Sequence, residues 1–117
     1  MTSFKTSYIE ISKSALQHNL GFLRNYINDN VIISSVVKGN AYGHGIELFT
    51  PLAEECGINH FSVFSADEAL RVHQAIKKEN TILIMGATDN HELEWTIQNE
   101  IEFFVFEISR LEKAIEL

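Results

Sequence analysis

Apolar strands and amphipathic helices alternate at a regular interval along the chain, and this alternation limits the possible folds more than any other feature. Four apolar segments end near Lys38, Phe64, Met85 and Phe106, at intervals of 26, 21 and 21 residues. Helical patterns occupy the stretches between them. Connections of this length join parallel strands. The sequence therefore predicts an α/β fold with a parallel sheet flanked by helices.

Local signals give the expected bounds of these elements. A weak alternation at Tyr8–Ile11 indicates a short first strand, and Ser12 is expected to cap the helix that follows it. Pro51 interrupts the helical pattern after the first long strand, so we expect that helix to start late, with Thr50 as its cap. The remaining strands are expected at residues 31–37, 60–64, 82–85 and 103–106, and the remaining helices at residues 65–78, 90–99 and 108–117.

The longest strand pattern runs directly into a lysine. Residues 31–37 carry β-branched side chains on both alternation phases, which indicates a strand covered on both faces. Lys38 follows at the carboxyl end, where open α/β sheets and (β/α)8 barrels both build their sites. If apolar neighbours desolvate the amine, more of it is neutral and able to attack a carbonyl, which makes Lys38 a Schiff-base candidate. A lysine at a strand end more often simply reaches solvent, so position alone leaves both interpretations open.

The residues around Lys38 carry more information than its position. Val36–Gly45 reads Val-Val-Lys-Gly-Asn-Ala-Tyr-Gly-His-Gly and closely resembles the signature of the alanine racemase family, fold-type III enzymes that use pyridoxal 5′-phosphate. Gly39 stands where the family usually has alanine, and glycine loosens the backbone beside the lysine. Phe61–Leu70 and Ile82–Ala87 resemble the family's second and third barrel strands with the residues after them. The resemblance therefore covers the whole chain.

This resemblance implies a TIM-type barrel. Residues 1–117 would be the N-terminal portion of the pyridoxal phosphate-binding barrel domain, that is, the N-terminal half of a (β/α)8 barrel preceded by a short strand and a helix. A closed barrel needs eight strands and typically about 250 residues, so the chain is expected to be a fragment without activity of its own. The opposing tyrosine base, the arginine facing the pyridine nitrogen and a C-terminal β-domain would lie downstream.

The resemblance also implies roles for individual residues. Lys38 would be the Schiff-base lysine and one of two catalytic bases, and Tyr42 would hydrogen-bond the cofactor phosphate. Val36 and Met85 would line the pyridoxal ring. His44 belongs to the motif, but we expect it to give structural support only.

We expect structural rather than catalytic roles for the other acids, the cysteine and the histidines outside the lysine motif. Asp67 and Glu68 lie in the first turn of a predicted helix, where acids are favoured by the helix dipole. Cys56 is the only cysteine, so no intrachain disulfide or multi-cysteine metal site can form. The remaining histidines show no pairing at metal-ligand spacing, and we expect no metal site; they are His18, His60, His73 and His91.

The function that the resemblance implies is the interconversion of L-alanine and D-alanine, which supplies D-alanine for cell-wall peptidoglycan. The full-length protein would be a homodimer acting on a small amino acid. An alternative is a non-catalytic pyridoxal phosphate-binding barrel concerned with cofactor homeostasis. The run Tyr42–Gly45 after the lysine favours the racemase, but preference among alanine, serine and larger amino acids stays open.

Charge and hydropathy limit the other possible partners. Sixteen acidic and nine basic residues give a net charge of −7, which argues against a nucleic-acid partner. The residues Met1–Ser7 lack the apolar core of a signal peptide, and no apolar run approaches the roughly 20 residues of a membrane span. We expect a cytoplasmic protein with no membrane contact.

Overall fold

Four parallel strands lie side by side in the order in which they occur along the chain. The computed structural model describes residues 6–117. Each strand pairs in parallel with the next one, so the parallel α/β sheet expected from the alternation is confirmed. The strands are β1 (Ser35–Val36), β2 (His60–Val63), β3 (Thr81–Ile84) and β4 (Glu102–Phe103).

Helical segments connect these strands. They are α1 (Lys13–Tyr26), α2 (Lys38–Tyr42), α3 (Ile46–Glu55), α4 (Ala66–Ala75), α5 (Asn90–Gln98) and α6 (Ile108–Glu116). The segment α2 is a short turn with left-handed dihedral angles, whereas the others are α-helices. Ser12 caps α1 as predicted, because its hydroxyl accepts a hydrogen bond from the Ala15 amide at 3.2 Å.

The hydrophobic core lies between one face of the sheet and the helices. Phe61 and Val63 of β2 and Ile82 and Ile84 of β3 are at most 1% exposed. Alternate residues of a strand point to the same face, so these four side chains form one continuous apolar surface. The helices cover this surface with small or β-branched side chains that allow close packing, including Ala53, Ala69 and Val72.

The opposite face of the sheet is more open in the described structure. Val36 lies beside Ser62 in the parallel register, and Ser62 lies beside Leu83. Val36 is 38% exposed, in contrast to the fully buried Phe61 on the other face. The expectation that residues 31–37 are covered on both faces is therefore wrong for this structure.

Three expected strands are shorter than predicted or absent. Only Ser35 and Val36 pair with β2, and the carbonyl of Val31 accepts a hydrogen bond from the Arg24 side chain rather than from a neighbouring strand. Tyr8–Ile11 forms no strand, since no other described segment supplies a hydrogen-bonded partner. The last strand is Glu102–Phe103 rather than residues 103–106, because only those two residues pair with β3.

Two helix bounds also differ from the predictions. The helix expected to start with Thr50 as its cap is α3, which begins at Ile46 and contains Pro51. Burial of Ile46 and Ala53 in the hydrophobic core offsets the one backbone hydrogen bond that proline removes. The helix expected at residues 65–78 is α4, which ends at Ala75, because the amides of residues 77 and 78 donate to the buried carboxylate of Glu54 rather than continuing the helix.

We expect that Met1–Ser7 is not a signal peptide. Most of this segment, residues 1–5, lies outside the described residues. Within residues 6–117, every helix is too short or too polar to cross a bilayer.

Close contact between the ends of β2 and β3 predicts a large effect of a single methyl group. A Cβ added to Gly86 would lie 2.4 Å from the carbonyl oxygen of Phe64. The same carbonyl accepts the Gly86 amide at 2.9 Å, so the two strand ends have no room to separate without losing that bond. We expect Gly86→Ala to lower the free energy of unfolding by about 1–3 kcal/mol, measured by urea denaturation.

Gly21 provides the matched control for this substitution. It lies within α1, and an added Cβ would meet no atom within 4 Å. Gly21→Ala should leave stability unchanged or raise it by up to about 1 kcal/mol, because alanine favours helix. Equal stability of the two variants would contradict the contact described for Gly86.

Candidate active site

Lys38 lies at the carboxyl end of β1, directly after the last residue held by the sheet. The preceding residue, Val37, is fully buried, and its amide donates to the Ser62 carbonyl at 2.8 Å. Lys38 itself is only partly buried. The structure thus holds the backbone of this lysine firmly and leaves its side chain at the boundary between the apolar core and solvent.

The chain makes a left-handed turn immediately after the lysine. Gly39, Asn40, Ala41 and Tyr42 have φ angles between 53° and 60°. Glycine adopts this conformation freely and asparagine tolerates it, but for other L-residues it costs roughly 1–2 kcal/mol each. The turn is therefore strained at Ala41 and Tyr42, and the surrounding structure must hold it in place.

Hydrogen bonds from the turn's own residues provide part of this support. The Ala41 amide donates to the Val37 carbonyl at 2.8 Å. The Asn40 side-chain oxygen accepts the Ile46 amide at 3.2 Å, which ties the turn to the start of α3. Nδ1 of His44 lies 2.8 Å from the Ala41 carbonyl and donates to it. This contact is the kind of structural support that we expect of His44.

The helix α4 supplies two further supports that sequence reasoning missed. Glu68 accepts the Gly39 amide at 2.7 Å and the Phe64 amide at 2.9 Å, so it contacts the ends of two strands instead of serving only the helix dipole. The Arg71 guanidinium donates to the Asn40 side-chain oxygen at 2.6 Å. The segment Ser65–Glu68 has the Ser-x-x-Glu pattern of a capping box, which indicates a glutamate that bends back over the helix start. That pattern was the available signal for Glu68.

An ion pair connects α3 and α4 beside the turn. Arg71 binds the Glu47 carboxylate with two hydrogen bonds, of 2.7 and 2.9 Å. The hydrogen bonds from Arg71 lower the pKa of Glu47 from 4.5 to about 2 and, in return, raise the pKa of Arg71. Both side chains are more than a third exposed, so solvent screens the pair and its contribution to stability is modest.

Two of the four residues expected to form the site, Val36 and Met85, share the open face of the sheet. The Gly86 amide donates to the Phe64 carbonyl at 2.9 Å, so the register of β2 and β3 continues one pair beyond the strands and places Met85 beside Phe64. Lys38 follows directly after Val37, whose amide makes the last hydrogen bond between β1 and β2. Tyr42 lies in the left-handed turn and is 65% exposed. Phe64, which is 59% exposed, was not among the expected residues.

A polar network occupies the same face nearer the amino ends of the strands. The hydroxyl groups of Ser34 and Ser62 are 2.6 Å apart, and Nδ1 of His60 lies 2.7 Å from the Ser34 oxygen. Nε2 of His60 lies 3.4 Å from a carboxylate oxygen of Glu102. These groups bind one another. Across residues 6–117 there is also no group of three or more histidine, cysteine or acidic side chains arranged to hold a metal ion.

A cleft of about 590 Å³ lies at the opposite end of the sheet. Residues from the amino ends of β2 and β3 line it, among them Asn59 and Thr81. Lys38 lies at the carboxyl end of β1, so this cleft is separate from the lysine and forms no part of the candidate site.

A parallel sheet in sequential order, with a lysine at the carboxyl end of its first strand, defines the class: the early strands of a TIM-type α/β barrel. The family model described as alanine racemase, N-terminal domain, matches residues 11–117, and the chain belongs to this family. Members of this family depend on pyridoxal phosphate.

Individual relatives agree with this assignment. The chain is 39% identical over 109 residues to the alanine racemase of Leptospira interrogans, an alignment that covers 93% of this chain and 28% of that protein. The crystal structure of alanine racemase from Bacillus anthracis with bound L-Ala-P superimposes with a TM-score of 0.85 at 28% identity, covering 100% of this chain and 30% of that one.

A further solved structure contains the cofactor. Alanine racemase from Bartonella henselae with covalently bound pyridoxal phosphate gives a TM-score of 0.70 at 26% identity, covering 80% of this chain and 27% of that one. The chain thus spans less than a third of the length of each of these relatives.

The Arg71–Glu47 ion pair predicts a specific acid sensitivity. The pKa of Glu47 is about 2 in the folded protein and near 4.5 when unfolded, so the pair stabilises the fold above pH 4.5 and is lost as the pH falls toward 2. We expect Glu47→Gln to reduce the fall in melting temperature between about pH 5 and pH 2.5, by an amount that shrinks as salt is added. In a protein that already carries Arg71→Gln, the Glu47→Gln substitution should not alter the fall in melting temperature any further. An unaltered acid response in Glu47→Gln would contradict the ion pair.

Proposed function

We propose that residues 1–117 form the lysine-bearing part of the barrel domain of a pyridoxal phosphate-dependent alanine racemase. The single observation that carries this proposal is the position of Lys38 at the carboxyl end of β1, inside a motif that belongs to the family matched over residues 11–117. The proposed activity is the interconversion of L-alanine and D-alanine, which would supply D-alanine for cell-wall peptidoglycan. This activity belongs to the full-length protein, and residues 1–117 alone are expected to show none.

The residues present fit the proposed cofactor. Lys38 follows the carboxyl end of β1, and Val36 and Met85 lie on the open face of the sheet, so an aromatic ring held by the lysine amine on that face would contact apolar side chains. Tyr42 is exposed on the turn that follows the lysine and has a hydroxyl available to donate to a phosphate. Bound pyridoxal phosphate would supply an electron sink for the pair left on the amino acid when its α-proton departs.

Each residue then has a defined task. Nζ of Lys38 would hold the cofactor and, as a free amine, would accept or return the α-proton on one side of the substrate. The Tyr42 hydroxyl would orient the phosphate, and Val36 and Met85 would exclude water from one side of the ring. Inversion of the α-carbon requires a second base on the opposite side. In our proposal a tyrosine from the other subunit of a homodimer provides that base, and the protein works in the cytoplasm.

Covalent trapping tests the assignment of Lys38. The protein expressed from its full reading frame is incubated with pyridoxal 5′-phosphate, reduced with borohydride and digested, and the labelled peptide is identified by mass spectrometry. We expect the label on Lys38 and its loss in Lys38→Arg. A label on another lysine would overturn the site. A label on Lys38 without racemisation of alanine would instead favour a cofactor-binding barrel protein.

Removal of the Tyr42 hydroxyl tests the proposed phosphate contact. A hydrogen bond to a charged group contributes about 1.5–3 kcal/mol, so Tyr42→Phe should weaken binding of pyridoxal phosphate by roughly tenfold or more. Tyr26→Phe is the control, because Tyr26 lies on α1 and is 83% exposed. The measurement is a titration of the cofactor-free full-length protein. Equal affinities in the two variants would show that Tyr42 does not bind the phosphate.

A further inference from the structure

We propose that Glu68 is a positioning residue for Lys38. Its carboxylate fixes the peptide group that follows the lysine and ties it to the end of the neighbouring strand. The inference rests on the proposed function, in which Lys38 is the residue that reacts with the cofactor.

Hydrogen bonds hold the peptide groups on both sides of Lys38. The Val37 carbonyl, which belongs to the peptide group before the lysine, accepts the Ala41 amide at 2.8 Å. The Gly39 amide, which belongs to the peptide group after it, donates to Oε1 of Glu68 at 2.7 Å. Since the orientation of the peptide group after the lysine defines the ψ angle of Lys38, the contact from Glu68 restrains this dihedral angle.

The other oxygen of the same carboxylate holds a residue of the neighbouring strand. Oε2 of Glu68 accepts the Phe64 amide at 2.9 Å. Phe64 follows β2 directly. One carboxylate therefore joins the peptide group after the lysine to the end of the neighbouring strand. Hydrogen bonds to an ionised acceptor are roughly twice as strong as neutral ones, which suits Glu68 to this task.

Gly39 makes this contact more important. It has a φ of 60° and no side chain, and an added Cβ would meet no atom within 4 Å, so packing around this residue does little to restrain it. The residues after it are in a left-handed conformation that costs free energy. Without the Glu68 contact, the Gly39 amide would lose its hydrogen bond to α4.

Comparison with Asp67 distinguishes this role from the general stabilisation of a helix by acids in its first turn. It is the neighbouring acid in the first turn of α4, and it accepts the Ser65 hydroxyl at 2.5 Å, a purely local contact. If both acids served only the helix dipole, neutralising either one would have the same consequence. Of these two acids, only Glu68 contacts the turn that follows the lysine.

The experiment compares Glu68→Gln with Asp67→Asn in the full-length protein. The first readout is hydrogen exchange of the Gly39 amide without cofactor, with the amides of residues 82–84 in β3 as an internal reference for global unfolding. We expect exchange at Gly39 to rise by about tenfold or more in Glu68→Gln, relative to that reference, and by less than about twofold in Asp67→Asn. The second readout is the rate at which pyridoxal phosphate and borohydride label Lys38, which should fall only in Glu68→Gln.

Glu68→Asp extends the test if the glutamine variant folds poorly. It keeps the negative charge at the helix start but shortens the side chain, so it should not reach both amides and should behave like Glu68→Gln. Equal exchange or equal labelling in the Glu68 and Asp67 variants would overturn the proposal while leaving the proposed function intact. Absence of label from Lys38 in the unchanged protein would instead overturn the proposed function, and the exchange rates would then decide whether Glu68 holds the turn.

Discussion

The left-handed turn after β1 is strained, and contacts with surrounding residues hold it in place. The arrangement of the site depends on these contacts. The turn directs Lys38 and Tyr42 without a helix or a sheet of its own, so its geometry comes from contacts with its surroundings. Ala41 is buried and bonded back to Val37, whereas Asn40 and Gly39 are held from outside. A strained segment that is fixed by several independent contacts can present functional groups in one orientation, which is the requirement for a site that transfers a proton at a defined atom.

The contacts that hold the turn are mainly polar, and two of the residues that make them are charged. Glu68 and Arg71 lie one helical turn apart on α4, on the side that faces α3 and the end of β1. The apolar core beneath them places the helix on the sheet, but hydrophobic packing has little directional preference. Hydrogen bonds supply the direction. In this part of the molecule, the core thus fixes the position of α4, and the charged residues on α4 then fix the conformation of the neighbouring turn.

The sequence indicated most of the fold and part of the site. The periodicity of apolar residues predicted the parallel order of the strands, because that pattern records which face of each element is buried. It failed where hydrogen-bond partners decide the outcome: residues 31–34 and 104–106 are apolar or β-prone, yet no neighbouring strand pairs with them in the described structure. The position of Lys38 followed from its motif. The contacts of Glu68 with Gly39 and of Arg71 with Asn40 did not, since they join residues that are 29 and 31 positions apart in the sequence.

The bidentate pair between Arg71 and Glu47 connects two helices on the outer side of the sheet, yet the same guanidinium also binds Asn40 beside the lysine. A substitution of Glu47, at an exposed position of α3, can therefore disturb the hydrogen bond that supports the turn after Lys38. Surface engineering of this protein, for example to improve solubility by changing its charge, should leave both side chains unchanged.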